Sequence, residues 1–351
     1  MTQPRSTLVS VSDTPWYHCV SRCVRRAFLC GEDRLTGVSY EHRRGWIADR
    51  LQQLASVFAV DVAGYAVMSN HFHVVVRIDT ERAANWSLDE VLGRWTALYA
   101  GPLLVRRYLA EGREGLDEGE VLAVSQWAEQ YRARLQDLSW FMRTLNEGIA
   151  WQANAEDGVK GRFWEGRFKS QALLDEQALI AALAYVDLNP IRAGMAETPE
   201  ESDYTSIQQR LGREPERVDG PVAEGEAEGS EEGAAALPKA PLMPFDATGH
   251  LGWAIPYAFD DYLELVDWLG RAVHPAKRGR IPPGKPKILD RLGMDAEALA
   301  AESDRLLRAF GSAVGAPASL TAARSRRQRR DTKGHPLSLE VPRTGAAGGA
   351  I

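Results

Sequence analysis

FAVDVAGYAVMSNHFHVVVRID, residues 58–79, decides how the rest of the chain is read. It divides into two β-rich runs around Met68-Ser69-Asn70, a turn-like break, so it predicts two adjacent strands. On the second strand, residues two apart share a face. His71 and His73 therefore project to one side, while Phe72, Val74 and Val76 project to the other, into a core. Two imidazoles side by side on a strand suit a divalent metal. The plainer alternative is a pair of polar residues on a solvated sheet face. The Val74-Val75-Val76 run argues against it, because a largely buried strand seldom keeps idle histidines.

Working outward, WYHCVSRCV (16–24) reads as another strand, and EHRRGWIADRLQQLASVF (41–58) as an amphipathic helix. Helical patterns are predicted at about 87–110 and 127–154, with a charged surface insertion at EGREGLDEGE, within about 108–126. GRFWEGRFKSQAL (161–173) mixes rings and charges and predicts a short hairpin or ordered loop. DEQALIAALAYVDLN (175–189) is a strong helix that Pro190 constrains at its end. Tyr185 and Asn189 are four apart, hence one turn from each other on one helical face. Asn189 offers a carbonyl oxygen as a third metal ligand. Tyr185 offers a phenol that becomes a usable nucleophile beside a cation. Taken singly, they also read as a core tyrosine and a helix cap.

The composition fits a packed protein: 44% of the 351 residues are hydrophobic and 26% charged. No apolar run is long enough to cross a membrane, and the start of the chain lacks the features of a secretory signal, so a cytoplasmic location is expected. The odd count of cysteines, Cys19, Cys23 and Cys30, argues against a disulfide framework. Their C-x3-C-x6-C spacing lacks a second knuckle for zinc. The net charge of −6 counts against nucleic acid when taken alone. Its distribution changes the picture: residues 213–236 hold 8 acidic and 2 basic groups, whereas 237–351 hold 12 acidic and 17 basic.

The expected organisation is a catalytic domain over 1–211, a disordered acidic linker over 212–241, a helical and basic extension over 242–330, and a disordered tail over 331–351. That extension reads either as an added DNA-binding module or as a packing appendage; Lys277, Arg278, Arg280, Lys285, Lys287 and the Arg324–Arg330 cluster favour DNA contact. In the first domain, Arg22, Arg25 and Arg26 are candidate phosphate ligands. Arg162, Trp164, Arg167 and Lys169 alternate ring and charge, which suits base stacking with backbone contact on single strands. The competing picture there is a hairpin with inward rings. Arg192, just past Asn189, is placed to hold a phosphate or to cap the helix.

His71-Phe72-His73 follows the pattern of the HUH endonucleases: histidine, bulky hydrophobic residue, histidine. With YAVMSNHFHVVVR around it, WYHCVSRCVRRAFL before it, and GRFWEGRFKS and YVDLNPIRAGM after it, the chain over about 14–210 resembles the REP-associated tyrosine transposases, a branch of the single-tyrosine HUH transposases. The resemblance implies an α+β fold with a ferredoxin-like antiparallel sheet and flanking helices. It implies that His71, His73 and Asn189 hold Mg²⁺ or Mn²⁺ and that Tyr185 is the nucleophile. It further implies single-stranded or hairpin DNA as substrate and a 5′-phosphotyrosine intermediate. Pairing of two protomers would help to join two DNA ends. A nicking enzyme that does not transpose, and a non-catalytic DNA-binding regulator, are the competing readings. No P-loop and no deaminase zinc motif occurs.

Overall fold

The computed structural model describes residues 9–24, 29–32, 37–215, 237–273, 312–326 and 334–336. Its architecture is α+β. The two runs of the 58–79 segment are strands β2 (Val60–Val67) and β3 (His71–Ile78), and the early Tyr/Val/Cys run is β1 (Trp16–Arg22). β1 pairs antiparallel with β3 and, on its other edge, with β4 (Lys169–Leu173). β2 closes the other side of β3, with a register shift between Val62 and Gly64. The order β2-β3-β1-β4 with antiparallel pairing is the ferredoxin-like arrangement. Two short strands, β5 (Ala313–Gly315) and β6 (Gly334–Pro336), extend the sheet beyond β4 in parallel, so the whole sheet is mixed.

Alternation sorts the side chains of the sheet to its two faces. Tyr17, Cys19, Phe72, Val74, Val76 and Ala172 face the larger core. Helices α1 (Arg43–Val57) and α6 (Leu138–Glu156) cover it, bringing Ile47, Leu51, Leu54, Phe141, Met142, Leu145 and Ile149. Arg43, fully buried, ties the two helices together: it donates 2.6 Å to Glu156, pairs with Asp157 and lies 4.2 Å over the Tyr40 ring. A carboxylate pair around one guanidinium is what makes its burial tolerable.

Between β3 and β4 lie α2 (Thr80–Asn85), α3 (Leu88–Thr96), α4 (Leu103–Glu111), α5 (Glu118–Leu135) and α6. The expected helix at 87–110 is therefore two helices, broken ahead of Pro102, which N-caps α4. The charged stretch at 111–120 also holds a helix start. Asp117 accepts from the Glu120 amide while the Glu120 side chain accepts from the Asp117 amide, a capping box that begins α5 nine residues before the expected position 127.

The second sheet face, carrying Ala63, Ala66, Val75 and Leu173, is covered by α7 (Glu176–Asp187), which Asp175 N-caps by accepting from Ala178. The short helices α8 (Asn189–Arg192) and α9 (Ser206–Arg210) follow. Beyond them, α10 (Phe259–Val273) packs on α7. Helix α11 (Pro317–Arg326) lies against β5. The segment read as a separate helical extension thus contributes Met243, Ile255, Tyr257, Tyr262, Leu265, Val266, Leu269 and Val314 to the core that α7 occupies. Residues 313–315, within the extension expected to be helical, form a strand. Lys277, Arg278, Arg280, Lys285, Lys287, Arg327, Arg329 and Arg330 lie outside the described residues, as does most of the linker. Arg326 donates 2.9 Å to Asp13. No described helix is long and apolar enough to cross a membrane.

The joint between α7 and α10 is polar at its centre. Asp187, fully buried, accepts from Ser206 Oγ at 2.5 Å, the Ile207 amide at 3.1 Å and Tyr262 Oη at 2.5 Å. Burial pushes its carboxyl above the usual range, against the Arg210 guanidinium nearby. Removing one donor leaves a buried oxygen less satisfied, at a cost of about 1–3 kcal/mol. Tyr262→Phe is expected to lower the free energy of unfolding in urea by that amount with an unchanged m-value. A change within error would show that α10 does not belong to the cooperative core.

Candidate active site

The sheet face beneath α7 carries the polar residues. β1 places His18, Val20 and Arg22 on this face, β3 places His71 and His73, and β4 places Lys169 and Gln171. The register sets Arg22 opposite His71, Val20 opposite His73 and Lys169, and His18 opposite Gln171. The expected division of β3 holds: Phe72, Val74 and Val76 are in the opposite core.

α7 brings Tyr185 down onto the histidines. Its ring lies 5.4 Å from that of His73 and 6.0 Å from that of His18, edge-on in both cases. The His71 and His73 rings are 4.9 Å apart. One turn on, Asn189 donates from Nδ2 to Tyr185 Oη at 2.7 Å. The Arg192 guanidinium lies 5.4 Å over the Tyr185 ring. The phenol thus has an amide donor at its oxygen and a guanidinium over its ring. The structure thus brings His71, His73, Tyr185, Asn189 and Arg192 together. Tyr185 is only 3% exposed, behind His73.

The histidines are set up as neutral donors of lone pairs. Burial draws His18 down to about 4, and burial with the nearby Arg22 charge draws His71 down to about 4. Burial, then His18 and His71, hold His73 well below the ordinary value. His71 Nδ1 meets Asn70 Oδ1 at 2.6 Å. A carbonyl oxygen only accepts, so His71 carries its hydrogen on Nδ1 and its lone pair on Nε2. His73 Nε2 is buried without a hydrogen-bond partner. Two such nitrogens fit a divalent ion of imidazole-compatible type. Among the described residues no three His, Cys, Asp or Glu side chains converge as a metal-binding group. Asn189 Oδ1 is the candidate third ligand that the motif resemblance indicates, and it is the Nδ2 of that amide, not its oxygen, that bonds Tyr185.

A cleft of about 420 Å³ opens beside the histidines, lined by Val20, Arg22, His71, His73, Glu165, Gly166, Arg167 and Lys169. Arg22, Arg167 and Lys169 are exposed on its walls, and Arg162 is exposed in the same loop. Arg25 and Arg26 lie outside the described residues. Trp164 corrects the stacking expectation: it is 8% exposed, packs edge-on against Phe72 and Phe163, and donates from Nε1 to the Asn146 carbonyl at 2.7 Å. Phe163 and Phe168 are buried as well. The loop keeps its rings inside and its charges outside, because the apolar area of the rings is worth more buried than offered to solvent.

Sequence reasoning missed His18, Asn70 and Gln171. His18 is diagonal to His73 across the β1–β3 pair, a neighbourhood visible only once the strand register is known. Asn70 sat inside the turn signal, and Gln171 inside a stretch read as loop.

No protein-family model matches the chain, and no curated protein matches it. A solved structure described as "Structure of the REP associates tyrosine transposase bound to a REP hairpin" overlays on 66% of this chain and 98% of that one, with 13% identity and a TM-score of 0.34. An overlay that loose establishes no shared activity, and the residues of this chain must carry any functional conclusion.

The lowered histidines give a stability signature. Above 6.5 they are neutral folded and unfolded alike; below it the unfolded chain takes up protons that His18 and His71 refuse until about 4. Stability should therefore fall as pH drops from 6.5 toward 4. Most of the window above about 5 lies clear of carboxylate titration. Thermal unfolding midpoints that stay level from 6.5 down to about 5 would contradict neutral burial of the cluster.

Proposed function

We propose that this protein is a metal-dependent DNA strand-transfer enzyme of the transposase kind, which cuts single-stranded or hairpin DNA with Tyr185 and rejoins it. The observation that carries the reading is the seating of Tyr185 against His73, with Asn189 bonded to its phenolic oxygen. A core tyrosine would not need two inward histidines, one of them with a buried orphan nitrogen, at its edge.

Arg22, Arg167 and Lys169 line the cleft and supply charge for backbone phosphates. His71 and His73, with Asn189, would hold Mg²⁺ or Mn²⁺. The bound ion would act as a Lewis acid on the phosphoryl oxygens. Tyr185 loses its phenolic proton and its oxygen attacks phosphorus. The Tyr185 O–P bond forms, the bond from phosphorus to the 3′-oxygen breaks, and that oxygen leaves as a hydroxyl after taking up a proton. The 5′-phosphate stays on Tyr185. Because one phosphodiester replaces another, little bond energy is lost, and a 3′-hydroxyl of a second strand can reverse the step and join DNA.

Asn189 and Arg192 stabilise the phenolate before attack. Since Tyr185 is nearly closed off, its oxygen has to be uncovered as DNA enters the cleft, by movement of the α7–α8 end or of the 162–168 loop. Hairpins are the first substrates to try, because the motif resemblance implies them.

Wild-type protein incubated with Mn²⁺ and end-labelled hairpin oligonucleotides, drawn from DNA flanking its own gene, is expected to give a covalent protein–DNA band on a denaturing gel. Tyr185→Phe should abolish the band and leave DNA binding intact. Cleavage that persists in Tyr185→Phe would replace this reading with a metal-dependent hydrolase.

A further inference from the structure

We infer that Gln171 and His18 form a positioning chain that fixes the proton of His73 on Nδ1 and presents its Nε2 as the metal-binding atom. The inference rests on the metal-centre reading for its purpose, though not for its geometry. His18 Nε2 and His73 Nδ1 are 2.9 Å apart, and the two rings are stacked with centroids at 5.1 Å. One hydrogen lies between those two nitrogens, and either ring could own it.

Gln171 decides which. Its side chain hydrogen-bonds His18, and because the amide nitrogen is not the bonded atom, the oxygen faces the ring. Its nitrogen is the buried atom left without a partner. An amide oxygen only accepts. His18 Nδ1, the ring nitrogen not facing His73, therefore carries a hydrogen toward Gln171. In a neutral ring its Nε2 is then the lone pair. That lone pair requires the hydrogen on His73 Nδ1, and His73 Nε2 is left bare, buried and unpartnered. Were the amide reversed, every proton along the chain would shift by one place and His73 Nε2 would be protonated, unable to bind a cation.

The arrangement parallels that of the neighbouring histidine, where Asn70 Oδ1 fixes His71 from the outside. The two rings differ in burial. His71 is at the rim and is held by a residue of the β2–β3 turn, whereas His73 is enclosed and needs a partner from within the sheet. β1 and β4 supply it, because the register puts His18 directly opposite Gln171. Outer-shell partners that orient a ligating imidazole typically change metal affinity by about 10–100-fold.

The test uses full-length protein with ¹⁵N-labelled histidine and two substitutions. Long-range ¹H–¹⁵N spectra of the metal-free wild type should show His73 as the Nδ1–H tautomer. Finding the Nε2–H tautomer would overturn the inference, whether or not the protein is an enzyme. Gln171→Met keeps the volume and removes the acceptor, so Mn²⁺ affinity by calorimetry should fall by about 10–100-fold. Gln171→Glu keeps an acceptor and should restore it. A packing role alone would show the opposite order, with Met tolerated and the buried carboxylate harmful. Wild-type protein that binds no Mn²⁺ would overturn the metal reading, while the tautomer spectrum still decides the positioning chain.

Discussion

The close seating of α7 on the sheet is the constraint on which the site depends. The helix is rich in small residues: Ala178, Ala181, Ala182 and Ala184 are all buried. Beneath it, β2 offers Gly64, where a Cβ would come within 2.7 Å of Leu183 Cδ2 and 3.2 Å of Ser206 Oγ. Small side chains on the helix and none at that point of the strand let the two backbones approach. With the helix so seated, the Tyr185 ring lies edge-on to His73. On its far side, Asp187 bonds α9 and α10, so the helix is held from both sides and its rotation is fixed.

The same packing explains the proton states. A sheet face covered by a helix is dry, and neutral imidazoles are the forms that survive there. Neutrality is also what a metal ligand requires. Burial thus keeps the imidazoles in the form that a metal ligand would need. The orphan nitrogens of His73 and Gln171 are an energetic liability of the metal-free chain. Such liabilities are expected where function rather than stability selects the residue.

The parts of this design that obey a local period were legible in the sequence. Period two on β3 separated the histidines from Phe72, Val74 and Val76. The helical period placed Asn189 one turn from Tyr185. What escaped depends on pairing between distant segments. His18 became a neighbour of His73 only through the β1–β3 register, and Gln171 a partner of His18 only through β1–β4. Trp164 was misassigned because ring–charge alternation has the same appearance whether the rings face a strand of DNA or a core. The 242–330 segment looked separate because an acidic, apolar-poor stretch precedes it; yet Tyr262 and Val314 reach the α7 core. Net charge says little about one cleft: an overall −6 coexists with Arg22, Arg167 and Lys169, beside Glu165, on the walls next to the histidines.

The central claim is that His71, His73 and Tyr185 surround one divalent cation. Paramagnetic broadening by Mn²⁺ tests it most directly, because relaxation falls steeply with distance from the ion. In protein labelled at histidine and tyrosine side chains, substoichiometric Mn²⁺ should broaden His71, His73 and Tyr185 first and together, while His250 and Tyr108, exposed or half-buried elsewhere, stay sharp. Broadening that begins at other residues, or that spares Tyr185 while affecting the histidines, would contradict the account.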